Sequence, residues 1–158
     1  MIAFLTGKLA GRSTTAAFID VGGVGYAVSM SQASLAKLPE AGAEVHVLTY
    51  LQVREDALAL YGFLSAEEKA LFERLISVSG VGPKVALAAL SSFSPRTLAD
   101  AIAAQDVALV SRIPGVGKKT ASRIILELKG SLDQGIEGLF GETAAAPPTD
   151  EGLKGATE

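Results

Sequence analysis

One pentapeptide pattern occurs twice in this chain, as Gly80-Val81-Gly82-Pro83-Lys84 and as Gly115-Val116-Gly117-Lys118-Lys119, the second copy 35 residues after the first. The likeness extends outward: Val78 and Ile113 are apolar two residues before the first glycine, and Ala86 and Ala121 stand at the same offset after it. Each copy lies between an apolar segment and a stretch able to form a helix, so the chain is constrained to build one helix, tight turn, helix unit twice. A single Gly-x-Gly between helices is an ordinary C-cap followed by a short connection. Two in register, with shared flanks, specify paired helix-hairpin-helix units.

A Gly-x-Gly turn keeps the hairpin free of side chains. An anion can then approach backbone N–H groups at the start of the following helix, where the helix dipole also favours negative charge. The lysines that follow add mobile positive charge. Groups of this kind meet phosphate and not base edges, so the pair is expected to grip nucleic-acid backbone without reading sequence. The candidate contacts are Gly80, Val81, Gly82 and Lys84 in the first copy and Gly115, Val116, Gly117, Lys118 and Lys119 in the second. A nucleotide-binding loop of type G-x-x-x-x-G-K-[ST] fails on spacing, because it needs glycine at 112 and a hydroxyl at 119, where the chain has Arg112 and Lys119.

Charge agrees with this once it is divided along the chain. Residues 1–63 carry four Lys/Arg and five Asp/Glu, residues 64–130 carry nine and six, and residues 131–158 carry one and six, within a net charge of -3. The basic excess sits with the paired turns, and the acidic tail opposes indiscriminate attraction to polyanions. At 158 residues and 49% hydrophobic content the chain has enough material for a core in one domain or two small ones. There is no cysteine, which excludes disulfides and thiolate metal sites and fits a reducing cytoplasm. His46 is the one histidine, expected to face outward from a strand, and leaves little material for a metal site or a Ser-His relay. No apolar run approaches the roughly 20 residues that span a bilayer, and the N-terminus lacks a basic segment ahead of its apolar run.

The first 63 residues read as five strands, at Ile2–Leu5, Ala16–Val21, Tyr26–Met30, Val45–Leu51 and Ala57–Phe63, with turns at Gly11-Arg12-Ser13 and Gly22-Gly23. Ser31 as cap and Pro39 as stop predict a short helix between the third and fourth, as in an oligonucleotide-binding (OB) barrel. From Ser65 the period becomes helical. Ser65-Ala66-Glu67-Glu68 reads as a capping box before Leu71, Phe72, Leu75 and Ile76; Ser94-Pro95 opens a helix burying Leu98 and Ile102; Asp106 caps the next. The last helix is expected from Lys118 to Lys129, with Ala121, Ile124, Ile125 and Leu128 as its apolar stripe and Gly130 as its end. Lys119 and Arg123 lie one turn apart on its polar face. Residues 142–158 have linker composition. The fold class is therefore α+β multidomain: an OB barrel over 1–63, an all-α tandem helix-hairpin-helix domain over 64–141, and a flexible acidic tail.

Arg54-Glu55-Asp56-Ala57 joins two strong strand patterns, so Glu55 and Asp56 are expected at a hairpin tip. Glu-Asp is not the Asn-Gly or Asp-Gly pair that hairpin geometry prefers, so two adjacent carboxylates call for a reason beyond turn propensity. Beside a phosphate-gripping module, they would repel nucleic-acid backbone and force strands apart.

With Met1-Ile2, Thr6-Gly7, Asp20-Val21-Gly22-Gly23-Val24-Gly25-Tyr26, Val53-Arg54-Glu55-Asp56, Leu60-Tyr61-Gly62-Phe63 and both hairpins in order, the chain resembles the RuvA family of Holliday-junction branch-migration proteins over residues 1–141. The resemblance implies a non-enzymatic, cofactor-free, cytoplasmic protein that binds four-way DNA junctions as a homotetramer, or as an octamer on a junction. The barrels would form the tetramer centre, Glu55 and Asp56 the acidic pins at the crossover, and both turns, with Arg54 and Arg123, the grip on the duplex arms. It also implies partnership with the RuvB motor ATPase and the RuvC resolvase. Family members continue past the linker into a motor-binding domain, so motor coupling is expected to be absent or impaired in a chain ending at Glu158. The rival reading is a helix-hairpin-helix repair enzyme, a glycosylase or nuclease, with Lys84 or Lys119 as nucleophile and Asp100 or Asp133 assisting. Nine aromatics, mostly on apparent core positions, and no tryptophan offer it no convincing base pocket.

Overall fold

The computed structural model describes residues 1–132, the last two by backbone alone; the tail expected over 142–158 and Asp133 lie outside the described residues. Strands β1 (Phe4–Arg12), β2 (Ala16–Val21), β3 (Val24–Met30), β4 (Glu44–Val53) and β5 (Leu58–Phe63) close into a barrel in the order β1-β2-β3-β5-β4. Neighbours are antiparallel except β3 and β5, which pair in parallel. Alternation sets the two faces: in β2, Ala17 and Ile19 point into the barrel while Phe18 and Asp20 are exposed. Leu5, Leu9, Val28, Met30, Val45 and Val47 complete the interior, joined by Leu35 and Leu38. His46 lies on the outer face, as expected, with its Nδ1 2.6 Å from Thr6 Oγ1.

The first strand departs from expectation. It spans Phe4–Arg12, not Ile2–Leu5, and the turn moves on to Ser13-Thr14-Thr15, where Ser13 Oγ accepts from Ala16 N. Gly7 within it permits a close approach, since a Cβ there would run into the carbonyl oxygen of Asp20 on the neighbouring strand.

Helix α1 (Gln32–Lys37) falls between β3 and β4 as predicted, with Ser31 Oγ accepting from Ser34 N. The Arg12 guanidinium, reaching over from β1, donates to the carbonyls of Leu35 and Pro39 at its other end, 2.7 and 2.8 Å away. Among the described residues five helices follow: α2 (Ala66–Ile76), α3 (Pro83–Ser92), α4 (Pro95–Ala103), α5 (Val107–Val110) and α6 (Lys118–Leu132). Leu98 and Ile102 are buried on α4, and Ala121, Ile124, Ile125 and Leu128 on α6, as their spacing predicts. Two details differ. Helix α6 continues through Gly130, which lacks the left-handed φ that turns a chain out of a helix. The capping box is half formed: Ser65 Oγ accepts from Glu68 N, but the Glu68 carboxylate turns away from the cap toward α1.

Barrel and helices meet around Phe72. This fully buried ring of α2 lies among Tyr50 and Tyr61 of the barrel's outer face and Phe63 at the end of β5, with ring centroids 5.6, 5.3 and 4.8 Å away.

Candidate nucleic-acid interface

The two turns repeat bond for bond. In the first, Ser77 N donates to Arg74 O, Val78 N to Leu75 O, Val81 N to Val78 O and Ala86 N to Gly82 O. In the second, Arg112 N donates to Leu109 O, Ile113 N to Val110 O, Val116 N to Ile113 O and Ala121 N to Gly117 O. Every donor and acceptor of the second set stands 35 positions after its counterpart in the first.

Each residue of Gly-Val-Gly has a separate task. The first glycine reverses the chain, with φ of 90° at Gly80 and 88° at Gly115, a conformation L side chains rarely adopt. The valine pins the turn to the protein, since Val81 and Val116 are each buried to 6% exposure. The second glycine precedes the helix and leaves its first N–H groups open. The other helices start differently: α1, α2, α4 and α5 are capped by the side chains of Ser31, Ser65, Ser94 and Asp106. Helices α3 and α6 follow Gly82 and Gly117, which have no side chain to offer, and a Cβ at either position would meet nothing within 4 Å.

The two starts are unequal. Pro83 is the first residue of α3 and has no N–H, so Lys84 and Val85 supply that helix's open amides. Helix α6 begins Lys118-Lys119-Thr120, with an amide at each position and two exposed ammonium groups. The turns are also neighbours. An added Cβ on Gly115 would lie 3.4 Å from Val85 Cγ2, so the second turn rests against the helix that the first one opens.

Glu55 and Asp56 form the exposed tip of the β4–β5 hairpin, closed by Arg54 N donating to Ala57 O at 2.9 Å. Between this hairpin and the start of α3 runs a cleft of about 320 Å³ lined by Gln52, Arg54, Ala57, Ala59, Tyr61, Pro83 and Lys84. The fold therefore brings Arg54 and Lys84 to one cleft at the base of the acidic tip. Arg123 lies one turn beyond Lys119 but is engaged, its Nε 3.3 Å from Glu127 Oε1. That pair is exposed and weak, so Arg123 is a cation with a competing partner.

Sequence reasoning does not reach Gln52, Ala59 and Tyr61. Their signal was the alternation of β4 and β5, which pairs Gln52 with Ala59 and Tyr50 with Tyr61 on the outer face.

Comparison with known proteins decides the kinship. The RuvA N terminal domain family matches residues 1–62, and the SAM-like helix-hairpin-helix tandem family matches residues 72–129. A protein of Thermobifida fusca is 52% identical over 147 residues, covering 93% of this chain and 70% of its own length. One of Acidobacterium capsulatum is 49% identical over 155 residues, covering 97% and 78%. The chain belongs to the RuvA family. Both relatives bear the name Holliday junction branch migration complex subunit RuvA, as does one of Bifidobacterium longum that is 47% identical over 160 residues. The RuvA match over 1–62 falls on the barrel and the acidic hairpin, and the helix-hairpin-helix match encloses both glycine turns. Among the described residues no helix is long and apolar enough to cross a membrane.

Proposed function

We propose that this RuvA-family protein is a non-enzymatic scaffold that binds four-way DNA junctions as a tetramer in the cytoplasm and holds them open for the RuvB motor ATPase. The observation that carries the reading is that the side-chain-free start of α3 and the base of the acidic hairpin line one cleft, with the second glycine turn resting against α3. The helix starts attract phosphate and the tip repels it. A duplex arm lies on the turns at Gly80–Lys84 and Gly115–Lys119, with Arg54 at the base of the tip and Arg123 along α6. Glu55 and Asp56 stand at the crossover, where a continuous duplex would have to pass and where an open junction need not. The barrel, residues 1–63, supplies the centre of the assembly, and residues 64–141 its arms. Because amides and lysines contact backbone alone, binding is selective for structure and indifferent to sequence.

Native mass measurement of the protein, free and with an immobile four-way junction, tests this directly. The expected species are a tetramer, and one or two tetramers on one junction. A monomer in both conditions, or equal affinity for junction and linear duplex, refutes the proposal.

A further inference from the structure

Glu68 is the one buried ionisable side chain among the described residues, 7% exposed, and the DNA-binding reading gives it no task. It occupies the position where a capping box would return the carboxylate to the Ser65 N–H, yet it reaches across to the barrel's helix α1 instead. Ser34 Oγ lies 2.8 and 2.7 Å from its two carboxylate oxygens, and Ser31 Oγ donates to Oε1 at 3.2 Å. No lysine or arginine pairs with it among the described residues. A second link runs beside the first: Gln32 N, in the first turn of α1, donates to Ser91 Oγ of α3 at 3.0 Å. Helix α1 is thus tied to both α2 and α3, the two helices that flank the Gly80-Val81-Gly82 turn.

Adhesion between the two halves is already supplied by the aromatic packing around Phe72, and apolar contact is non-directional. A buried carboxylate is different, because it is tolerated only where its hydrogen bonds are made, and so it selects one orientation out of those that packing allows. Replacing such a cluster by apolar groups is often neutral or stabilising, so stability alone does not account for it.

We propose that Glu68 is a positioning residue. Its clasp on Ser31 and Ser34 fixes the helical domain against the barrel and so sets where the first glycine turn stands relative to the acidic tip. The consequence for DNA rests on the functional reading above; the clasp itself does not.

The chain has no cysteine, so Glu44→Cys on the barrel and Ser122→Cys on α6 label it at two chosen points. Electron-spin distance measurement, with labelled chain diluted in unlabelled, then reads the angle between the halves. The expected result is one narrow distance in the parent, a broadened distribution in Glu68→Ala and Ser34→Ala, and a narrow one again in Glu68→Gln, which can still accept from a hydroxyl. The Glu68→Leu/Ser34→Ala pair should regain the parent's melting temperature yet stay broad. In the broadened variants the preference for four-way junction over linear duplex should fall about fivefold, the scale on which residues touching neither ligand modulate a coupling. A parent-like distribution in Glu68→Ala, or in the apolar pair, overturns the clasp. Broadened distances with an unchanged preference overturn its role in recognition. If the unaltered protein has no preference for junctions, the functional reading fails and the distances still judge the clasp.

Discussion

Placing an aspartate at position 82 should make the protein more stable and a poorer ligand for DNA. Gly82 has φ -93° and ψ 174°, extended backbone that any residue adopts, and an added Cβ there meets nothing within 4 Å. A side chain at this point therefore obstructs the ligand and not the turn. Aspartate is among the best N-cap residues, ahead of glycine by a few tenths of a kcal/mol, and its charge at the helix start adds about 0.3–1 kcal/mol. The sum, about 0.5–1 kcal/mol, corresponds to a rise of about 2 °C in melting temperature for a chain of this size. The same side chain accepts the N–H of Lys84 or Val85 that phosphate would otherwise use, and it puts negative charge where the phosphate would lie. A hydrogen bond to a charged group contributes about 1.5–3 kcal/mol, so junction affinity should fall about tenfold or more. Gly82→Ser occupies the same amide without the charge and should fall between parent and Gly82→Asp. Thermal melting and fluorescence anisotropy with a labelled junction measure both quantities. A Gly82→Asp protein that melts higher and binds unchanged shows that the open amides are not used, and one that melts lower refutes the capping argument.

Changing Glu55→Gln and Asp56→Asn together should raise affinity for linear duplex relative to a four-way junction; a ratio of dissociation constants unmoved at fixed salt removes the acids from selectivity. Lys84→Ala and Lys119→Ala should weaken binding to all junction sequences alike and lower the slope of log affinity against log salt by about 0.9 per lost phosphate contact. Arg123→Ala should lower it less, because Glu127 already competes for that guanidinium. A loss confined to particular base sequences would contradict a backbone grip. Phe72→Ala empties the centre of the aromatic junction and should destabilise the protein by about 3–5 kcal/mol in urea titration, and a loss below about 1 kcal/mol would mean that barrel and helices do not depend on this contact.

Local chemistry was legible wherever it settles conformation by itself. Ser31, Ser94-Pro95 and Asp106 announce helix starts because each satisfies amides within its own turn, and Gly80 and Gly115 announce the hairpins because L side chains rarely adopt their φ. One misreading concerns a residue whose role is set by something distant in the chain. Glu68 has the spacing of a capping box, but the hydroxyls that claim it belong to a helix more than thirty positions earlier. Gly130 permits a helix to end without requiring it to. The cleft beneath the acidic tip was illegible for the same reason: Arg54 and Lys84 meet there through strand pairing and interdomain packing, which no local pattern encodes.

The glycine-opened helix starts have a mechanical consequence. A hydrogen bond from a main-chain amide to a phosphate is the same bond at every nucleotide, so a duplex resting on such contacts finds an equivalent seat after each step along its own axis. Base-reading contacts would carve deep, uneven wells and arrest the DNA wherever the match was best. On the function proposed above, the wells met by a duplex on these turns would be shallow, evenly spaced and blind to composition. Such a surface would behave as a bearing, holding the load against lateral escape with little friction to travel, and with two unequal seats, Pro83 opening one and Lys118 the other, the weaker would release before the stronger.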